Sequence, residues 1–239
     1  MKKYYYDEHE DTYQKMKNGN ISAWDEFHDP TNYSFDIFMM RPFLEKAFSI
    51  ININEFALQA FEYGCGTGAG ACYLANKGFT VDAVDISPTA IEIANEIAKN
   101  KGIVINFRVQ DLLGLPKLDK KYDLILDNYC LQSIVTDDDR KKLFSIVSSG
   151  LKDSGYYIVS SAIYNETRSY KNSFYDANSG IAYDKVQDPK GYGTAATLIN
   201  GEWWLPHRRH LKKDVLRQEL QSAGFKVVFQ EGGNFILKI

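Results

Sequence analysis

Nine residues concentrate the chemistry of this chain: Glu62-Tyr63-Gly64-Cys65-Gly66-Thr67-Gly68-Ala69-Gly70. They follow an apolar run that reads as a strand and precede a helical pattern. Glycines at such a junction let the backbone turn tightly and leave bare amides at a helix N-terminus, where a ligand can lie against them. The pattern Gly64-x-Gly66-x-x-Ala69 satisfies the dinucleotide fingerprint in its G/A form, and a glycine cluster of this kind also arises where strand and helix simply pack closely. Three acids sharpen the reading. Asp85 ends the second strand, where a carboxylate can accept both hydroxyls of a ribose. Glu62, two residues before the first glycine, would repel a pyrophosphate but suit the ammonium group of an amino acid. Asp111, just past the third strand, is placed to accept from an adenine amino group. Each acid alone is an ordinary loop-end residue; three at successive strand ends beside a glycine turn point to a nucleoside with an amino-acid tail.

The elements needed to hold these residues follow from residue 57 onward. Ala57–Tyr63, Thr80–Val84, Ile103–Val109, Tyr122–Leu126 and Tyr156–Ala162 read as strands. Helices alternate with them: one following the glycine turn to about Asn76, one opened by Ser87-Pro88 and running to about Asn100, and one capped by Thr136 or Asp137 and running to about Leu151. This rhythm implies right-handed crossovers and a parallel sheet covered on both faces. Leu211–Ala223 reads as an amphipathic helix stopped by Gly224. Phe225–Gln230 and Phe235–Ile239 then form a hairpin through Gly232-Gly233, which is not the usual ending of a nicotinamide-binding fold. Ser34 is expected to cap a helix whose apolar face runs from Phe35 to Phe48. Tyr164–Trp204 shows little periodicity.

Together these motifs resemble the class I S-adenosylmethionine-dependent methyltransferases over roughly residues 57–163. Glu62-x-Gly64-x-Gly66-x-Gly68 is similar to the family's first motif and Val84-Asp85-Ile86-Ser87 to its second. Val109-Gln110-Asp111-Leu112 is similar to the third and Tyr122-Asp123-Leu124-Ile125-Leu126-Asp127 to the fourth. Leu151-Lys152-Asp153-Ser154-Gly155-Tyr156 matches the approach to the fifth strand, with Asp-Ser-Gly in place of the commoner Pro-Gly-Gly. The resemblance implies an α/β, Rossmann-like, doubly wound seven-stranded sheet of order 3-2-1-4-5-7-6, mostly parallel with the last strand antiparallel. It implies S-adenosylmethionine as cofactor and S-adenosylhomocysteine as product. Gly64, Gly66 and Gly68 would let the methionine part approach, with Cys65 and Thr67 lining the turn. Glu62 would reach the cofactor's amino group, directly or through water. Asp85 would bind the ribose, Ile86 pack on the adenine, Asp111 read its amino group and Leu112 donate its amide nearby. Asn128 and Tyr129 would flank the methionine and the methyl, and Arg41 would pair with the cofactor's carboxylate. Two departures stand out. Leu131-Gln132-Ser133-Ile134 holds no histidine where many small-molecule members have one, and no Asn-Pro-Pro-Tyr type sequence of DNA-methylating enzymes ends the fourth strand.

One domain is expected, divided into an N-terminal helical cap (1–55), a cofactor-binding core (56–163), a substrate-side insertion (164–210) and a C-terminal helix and hairpin (211–239). The cap and insertion would supply the acceptor site. Their aromatics include Trp24, Phe27, Tyr33, Phe38, Tyr170, Phe174, Tyr175, Tyr183, Tyr192, Trp203 and Trp204, which either line an apolar or cation-binding pocket or pack the cap onto the sheet. Gly191-Tyr192-Gly193-Thr194 marks a candidate mobile segment. His207-Arg208-Arg209-His210 is either a solvated loop or a source of a base and an anion-binding pair, so His207, His210 and Tyr129 are the catalytic candidates. His9 and His28 read as surface residues. Methyl transfer needs collinear acceptor, methyl and sulfur in a dry site rather than a covalent nucleophile, so Cys65 and Cys130 are expected to be small residues near the cofactor.

Composition narrows the remaining classes. Of 239 residues, 28 Lys+Arg face 31 Asp+Glu, a formal charge of -3, without the basic excess of a phosphate-held nucleic-acid binder. No h-region follows Lys2-Lys3 and no apolar run approaches the roughly 18–20 residues of a membrane helix. Three scattered cysteines without a CxxC pair suggest reduced thiols, no zinc and a cytoplasmic setting. The reading is a metal-independent methyltransferase acting on a small-molecule acceptor by in-line displacement, without nucleic-acid or membrane partners. Two alternatives stay open at this point: a catalytically inactive cofactor-binding module and an NAD-dependent oxidoreductase. The acceptor, its reacting atom and the oligomeric state are left open.

Overall fold

The computed structural model describes residues 3–53, 58–167, 173–192 and 195–239. Ala57, Tyr170, Gly193 and Thr194 of the sequence reading lie outside them. Three helices come first: α1 (Tyr6–Asn18), the single-turn α2 (Trp24–His28) and α3 (Arg41–Ile50). The core then alternates β1 (Gln59–Tyr63), α4 (Ala69–Asn76), β2 (Thr80–Asp85), α5 (Pro88–Lys101), β3 (Asn106–Val109), β4 (Tyr122–Asn128), α6 (Asp137–Gly150) and β5 (Leu151–Ser160). An inserted block follows with β6 (Ser173–Asp176), β7 (Ile181–Val186), β8 (Thr197–Ile199) and β9 (Glu202–Arg209). The chain closes with α7 (Lys213–Ser222), β10 (Lys226–Glu231) and β11 (Asn234–Lys238).

The seven-stranded sheet has the order β10-β11-β5-β4-β1-β2-β3. β11 runs antiparallel to β5 and β10, and the other neighbours are parallel. This is the expected order, with β11 and β10 as its last two strands. Period-two alternation sends successive side chains to opposite faces. Ala60, Leu124, Leu126 and Ile158 pack with α3 and α4 residues on one face. Phe61, Tyr63, Ile125 and Tyr157 pack with α6 and α7 on the other. Both faces are thus covered, which is why the strands read as near-continuous apolar runs.

Local capping sets several helix starts. Ser87 Oγ accepts from the Ala90 amide at 3.0 Å with Pro88 at the first helical position, and Thr136 Oγ1 accepts from Asp139 at 3.2 Å. Ser34 does not start a helix. Its hydroxyl accepts from the Ile37 amide at 3.2 Å in a turn, and the helix begins at Arg41 with Pro42 in its first turn. A proline pushes the residue before it away from extending a helix backwards and is itself best placed at the first helical position. α1 was not read from the sequence, although Asp7 and Glu8 in its first turn and Lys15 and Lys17 in its last match the helix dipole.

The insertion is the main departure. Where the sequence shows little periodicity, four short strands form a second antiparallel sheet of order β6-β7-β9-β8. His207-Arg208-Arg209 therefore lies in strand β9, not in a loop. Pro206 argues against a strand because it lacks an amide donor, and the structure accommodates it at a bulge. Ala182 faces Arg208 and Tyr183 faces Pro206, so His207 is the extra residue, re-aimed by the local kink.

Candidate active site

A cavity of about 920 Å³ opens at the C-terminal ends of β1, β2 and β4, where a doubly wound sheet places its ligands. Gly64, Cys65, Gly66 and Thr67 form its floor, Asp85 and Ile86 one side, and Asp111 and Leu112 the next. Asn128, Tyr129 and Cys130 border it at the end of β4. The loop needs its glycines. Gly64 and Gly66 have φ of +58° and +52°, and a Cβ at Gly66 would sit 2.6 Å from the Tyr13 hydroxyl. A Cβ at Gly64 would overlap the side chain of Cys130. Gly68 also has positive φ, but it faces Phe107 and Ala94 and is not part of the cavity wall.

Asp85 braces the loop. Its Oδ2 accepts from the Gly66 amide at 2.8 Å and its Oδ1 from the Ser87 amide at 2.9 Å. Burial pushes this carboxyl above its ordinary range, opposed by those amides and by His9. Asp111 Oδ1 accepts from the Leu113 amide at 3.0 Å and from the Tyr5 hydroxyl at 3.2 Å. Both acids remain in the cavity wall, as the expected ribose and adenine contacts require.

Glu62 does not. Its position on β1 turns it to the face covered by α4, where a Cβ on Gly70 would run into its carboxyl. It is fully buried, neither oxygen has a hydrogen-bond partner among the described residues, and it is absent from the cavity lining. Burial pushes its carboxyl well above the ordinary carboxylate range, opposed by the Ala71 amide. The carboxyl thus sits behind the cavity lining, and its expected reach to the cofactor's amino group, directly or through water, remains a proposal. Arg41 lies off the cavity wall: its guanidinium pairs with Glu45 at 3.0 Å and donates to the Asp36 carbonyl at the surface.

Tyr129 carries a backbone φ of +62°, a conformation uncommon for a bulky residue and one that collects at functional sites. Burial raises its phenol to about 12. Beneath it, Asp127 is fully buried and raised to about 7 by burial. It accepts from the Tyr63 hydroxyl and from the amides of Cys130 and Leu131, and so fixes the turn that presents Tyr129. Burial also pushes the thiols of Cys65 and Cys130 up, which leaves them protonated and poor nucleophiles.

The roof of the cavity comes from α1 and the small sheet. Tyr5, Glu8, His9, Thr12 and Tyr13 line it from α1 and the residue preceding it. Glu10 anchors α1 to the core by accepting from the hydroxyls of Ser87 at 2.6 Å and Thr89 at 2.5 Å. Glu8 ties it to β9, accepting two hydrogen bonds from Arg208 at 2.8 Å and meeting His207 Nε2 at 2.8 Å. His207 Nδ1 lies 3.2 Å from Asp184. These partners hold the Glu8 carboxyl far below its ordinary range despite its burial. His207 and His210 both line the cavity, and His210 is buried at its edge with its amide on the Gly180 carbonyl. His9, expected at the surface, is inside the cavity wall: its Nδ1–H donates to the Tyr5 carbonyl at 2.5 Å and its ring lies 5.5 Å from that of Trp24. His28 is exposed and borders the mouth.

Glu10→Ala removes the anchor between α1 and α5 and should unroof the cavity more often. A ligand on the glycine loop should then leave several-fold faster, with little change in its association rate. Stopped-flow fluorescence with chase measures both, and an unchanged dissociation rate would show that α1 does not gate the cavity.

Residues 60–155 match the family described as a methyltransferase domain. The 2-heptyl-1-hydroxyquinolin-4(1H)-one methyltransferase of Mycobacteroides abscessus is 30% identical over 97 residues, 40% of this chain and 43% of that one. The ubiquinone biosynthesis O-methyltransferase of Rickettsia conorii is 31% identical over 117 residues, 49% of this chain and 39% of its own. The chain thus spans less than half the length of these curated relatives. A crystal structure of an S-adenosylmethionine-dependent methyltransferase from Clostridium acetobutylicum superposes with a TM-score of 0.61 at 18% identity, covering 95% of this chain and 99% of that one. At that identity the likeness is one of fold. Among the described residues no helix is long and apolar enough to cross a membrane.

Proposed function

On a class I S-adenosylmethionine-dependent methyltransferase core, we propose that this chain transfers the cofactor's methyl group to a small-molecule acceptor by direct displacement, without a metal. The observation that carries the proposal is the cavity itself. Its volume of about 920 Å³ lies at the upper end of small-molecule sites, and its lining continues from the glycine loop past Tyr129 to Gln132, Ala162, His207 and His210. A module that had lost catalysis would have no use for this extension. The roof of α1 and β9 leaves a recess suited to a compact acceptor rather than to a broad macromolecular face, and the two curated relatives above are named for small-molecule chemistry.

The cofactor supplies an electrophilic methyl on a positively charged sulfur; the chain supplies position and dryness. Loop residues Gly64–Thr67 would support the methionine part on bare backbone, and Asp85 would accept from ribose hydroxyls while it continues to brace Gly66. Asp111 and Leu112 would fix the base. Asn128 and Tyr129, which border the cavity at the end of β4, would flank the methionine part and the methyl. The αL backbone at Tyr129, held by the Asp127 turn, fixes where its ring stands relative to that point. His207 and His210 would face the acceptor, with both ring nitrogens of His207 engaged by Glu8 and Asp184. Aligning the reactants and excluding water is the largest expected contribution to rate.

Calorimetric titration with S-adenosylhomocysteine and, separately, with NAD tests the cofactor. Micromolar binding of the former with none of the latter is expected, and binding of NAD alone would overturn the proposal. Methyl transfer from labelled cofactor to a panel of small phenols, amines and thiols, measured by mass gain, then tests the acceptor class.

A further inference from the structure

From the sequence, the aromatic residues of the cap and the insertion either line a pocket or pack the cap onto the sheet, and the structure divides them. Phe174, Tyr183, Trp203 and Trp204 of the small sheet are absent from the cavity wall, whereas Trp24, Tyr33 and Phe38 of the cap line it together with Tyr129. Contacts gather these rings around one acid. Asp25 is half-buried on α2, directly after Trp24, and its Oδ2 accepts from the Met39 amide at 2.8 Å, which ties α2 to the segment holding Phe38. Both Asp25 and Tyr33 act electrostatically on the Tyr129 phenol. Among the described residues Asp25 makes no other hydrogen bond and no ion pair. Burial raises its carboxyl, opposed by the Met39 amide and by His28, so a cation beside it would relieve the cost of its charge.

Charge along the rest of the wall points the same way. Among the described lining residues Arg208 is the only lysine or arginine, and Glu8 accepts from it twice at 2.8 Å. The other four lining carboxylates are Asp25, Asp29, Asp85 and Asp111. Asp85 and Asp111 border the side expected to hold the nucleoside, and Asp25 and Asp29 belong to the cap. The Asn32 side chain holds the Asp29 carboxyl below its ordinary range, so it stays an anion. The cap side of the cavity thus offers carboxylates and ring faces and no unmatched lysine or arginine. A carboxylate or phosphate on the acceptor would be repelled there, and an ammonium would be drawn by the acids and by the aromatic faces.

We propose that the methyl acceptor is an amine, a small molecule whose basic nitrogen is carried on an apolar body and sits between Asp25 and the rings of Trp24, Tyr33 and Tyr129. The proposal rests on the methyltransferase reading above and narrows its acceptor class. Tyr129 would flank the methyl, so the same seat brings the nitrogen beside the carbon it attacks. The amine enters as an ammonium and loses its proton to solvent. Its lone pair then forms the bond to the methyl carbon, and the carbon–sulfur pair stays on sulfur to give neutral S-adenosylhomocysteine. The positive charge passes from sulfur to nitrogen in that step, and a carboxylate beside the nitrogen stabilises the charge as it develops.

The test uses the full chain saturated with S-adenosylhomocysteine. Phenethylamine, tryptamine and hexylamine are titrated by calorimetry, each against the alcohol and the carboxylate of the same skeleton. At least one amine is expected to bind tenfold or more tighter than its alcohol, with its carboxylate weakest of the three. Asp25→Asn keeps an acceptor for the Met39 amide and removes the charge. It is expected to bring that amine down to the level of its alcohol, to leave the alcohol within twofold, and to be partly reversed in Asp25→Glu. Equal loss of amine and alcohol would make Asp25 a packing residue. That result, a preference for carboxylates, an amine panel that does not bind, or an Asp25→Asn protein that still prefers the amine would each overturn the proposal. A wild-type chain without affinity for S-adenosylhomocysteine would overturn the cofactor reading instead, a result seen before any amine is added.

Discussion

Gly66→Val should abolish cofactor binding, with affinity for S-adenosylhomocysteine falling at least a hundredfold. Two effects combine. The backbone φ of +52° at this position is strongly disfavoured for a β-branched residue, at about 1–3 kcal/mol. The first added carbon also meets the Tyr13 hydroxyl at 2.6 Å, so the valine pushes on α1 from below and fills the space on which the ligand backbone would rest. Part of the strain will appear as lowered stability, so a melting curve must accompany the titration. Gly66→Ala combined with Tyr13→Phe separates the two effects: it removes the hydroxyl from the path of the new Cβ, and a partial return of binding would identify the overlap rather than the dihedral strain as the larger part. A folded Gly66→Val protein that binds normally would show the loop to be a packing device only.

Asp85→Ala should weaken cofactor binding by about 1–3 kcal/mol, roughly 5-fold to 150-fold, from unpaired ribose hydroxyls in a partly buried site. The structure adds a second reason for expecting the upper part of that range. The same carboxylate satisfies the Gly66 and Ser87 amides, so its removal leaves two buried donors unmet and frees the loop that the ligand needs in place. Calorimetry gives the affinity, and hydrogen exchange at Gly66 reports the loop. Unchanged affinity with faster exchange would mean that Asp85 only braces the turn and that the ribose lies elsewhere.

The two variants probe residues whose importance was legible from spacing alone, because a strand-glycine-helix junction and an acid at the next strand end are local patterns. The same holds for the caps at Ser87 and Thr136 and for the terminal hairpin. Each is set by interactions within a few residues, whereas the strand order was implied by the family resemblance and the crossover rule supplied only the handedness of the connections. What sequence spacing could not provide is which way a locally correct residue faces. Glu62 and Tyr63 are adjacent, yet one is shut beneath α4 and the other meets Asp127 on the opposite face; only the helices stacked on the sheet decide which face belongs to a cavity. Arg41 is on a helix as expected, but that helix turns it to Glu45 and solvent.

The roof was hidden for a related reason. α1 is polar along much of its length, and its role comes from partners far away in sequence, Glu10 with Ser87 and Glu8 with Arg208. The small sheet was obscured by strands of three to eight residues and by Pro206, which is compatible with β9 only because a bulge forms against β7. Residue types and their order thus determined the parallel sheet, the glycine floor and the acids at its edge, since those depend on backbone dihedrals and short-range periodicity. Tertiary structure alone decided which carboxylates face the cavity and which helix closes over them, because burial and long-range pairing are properties of the packed chain rather than of any window along it.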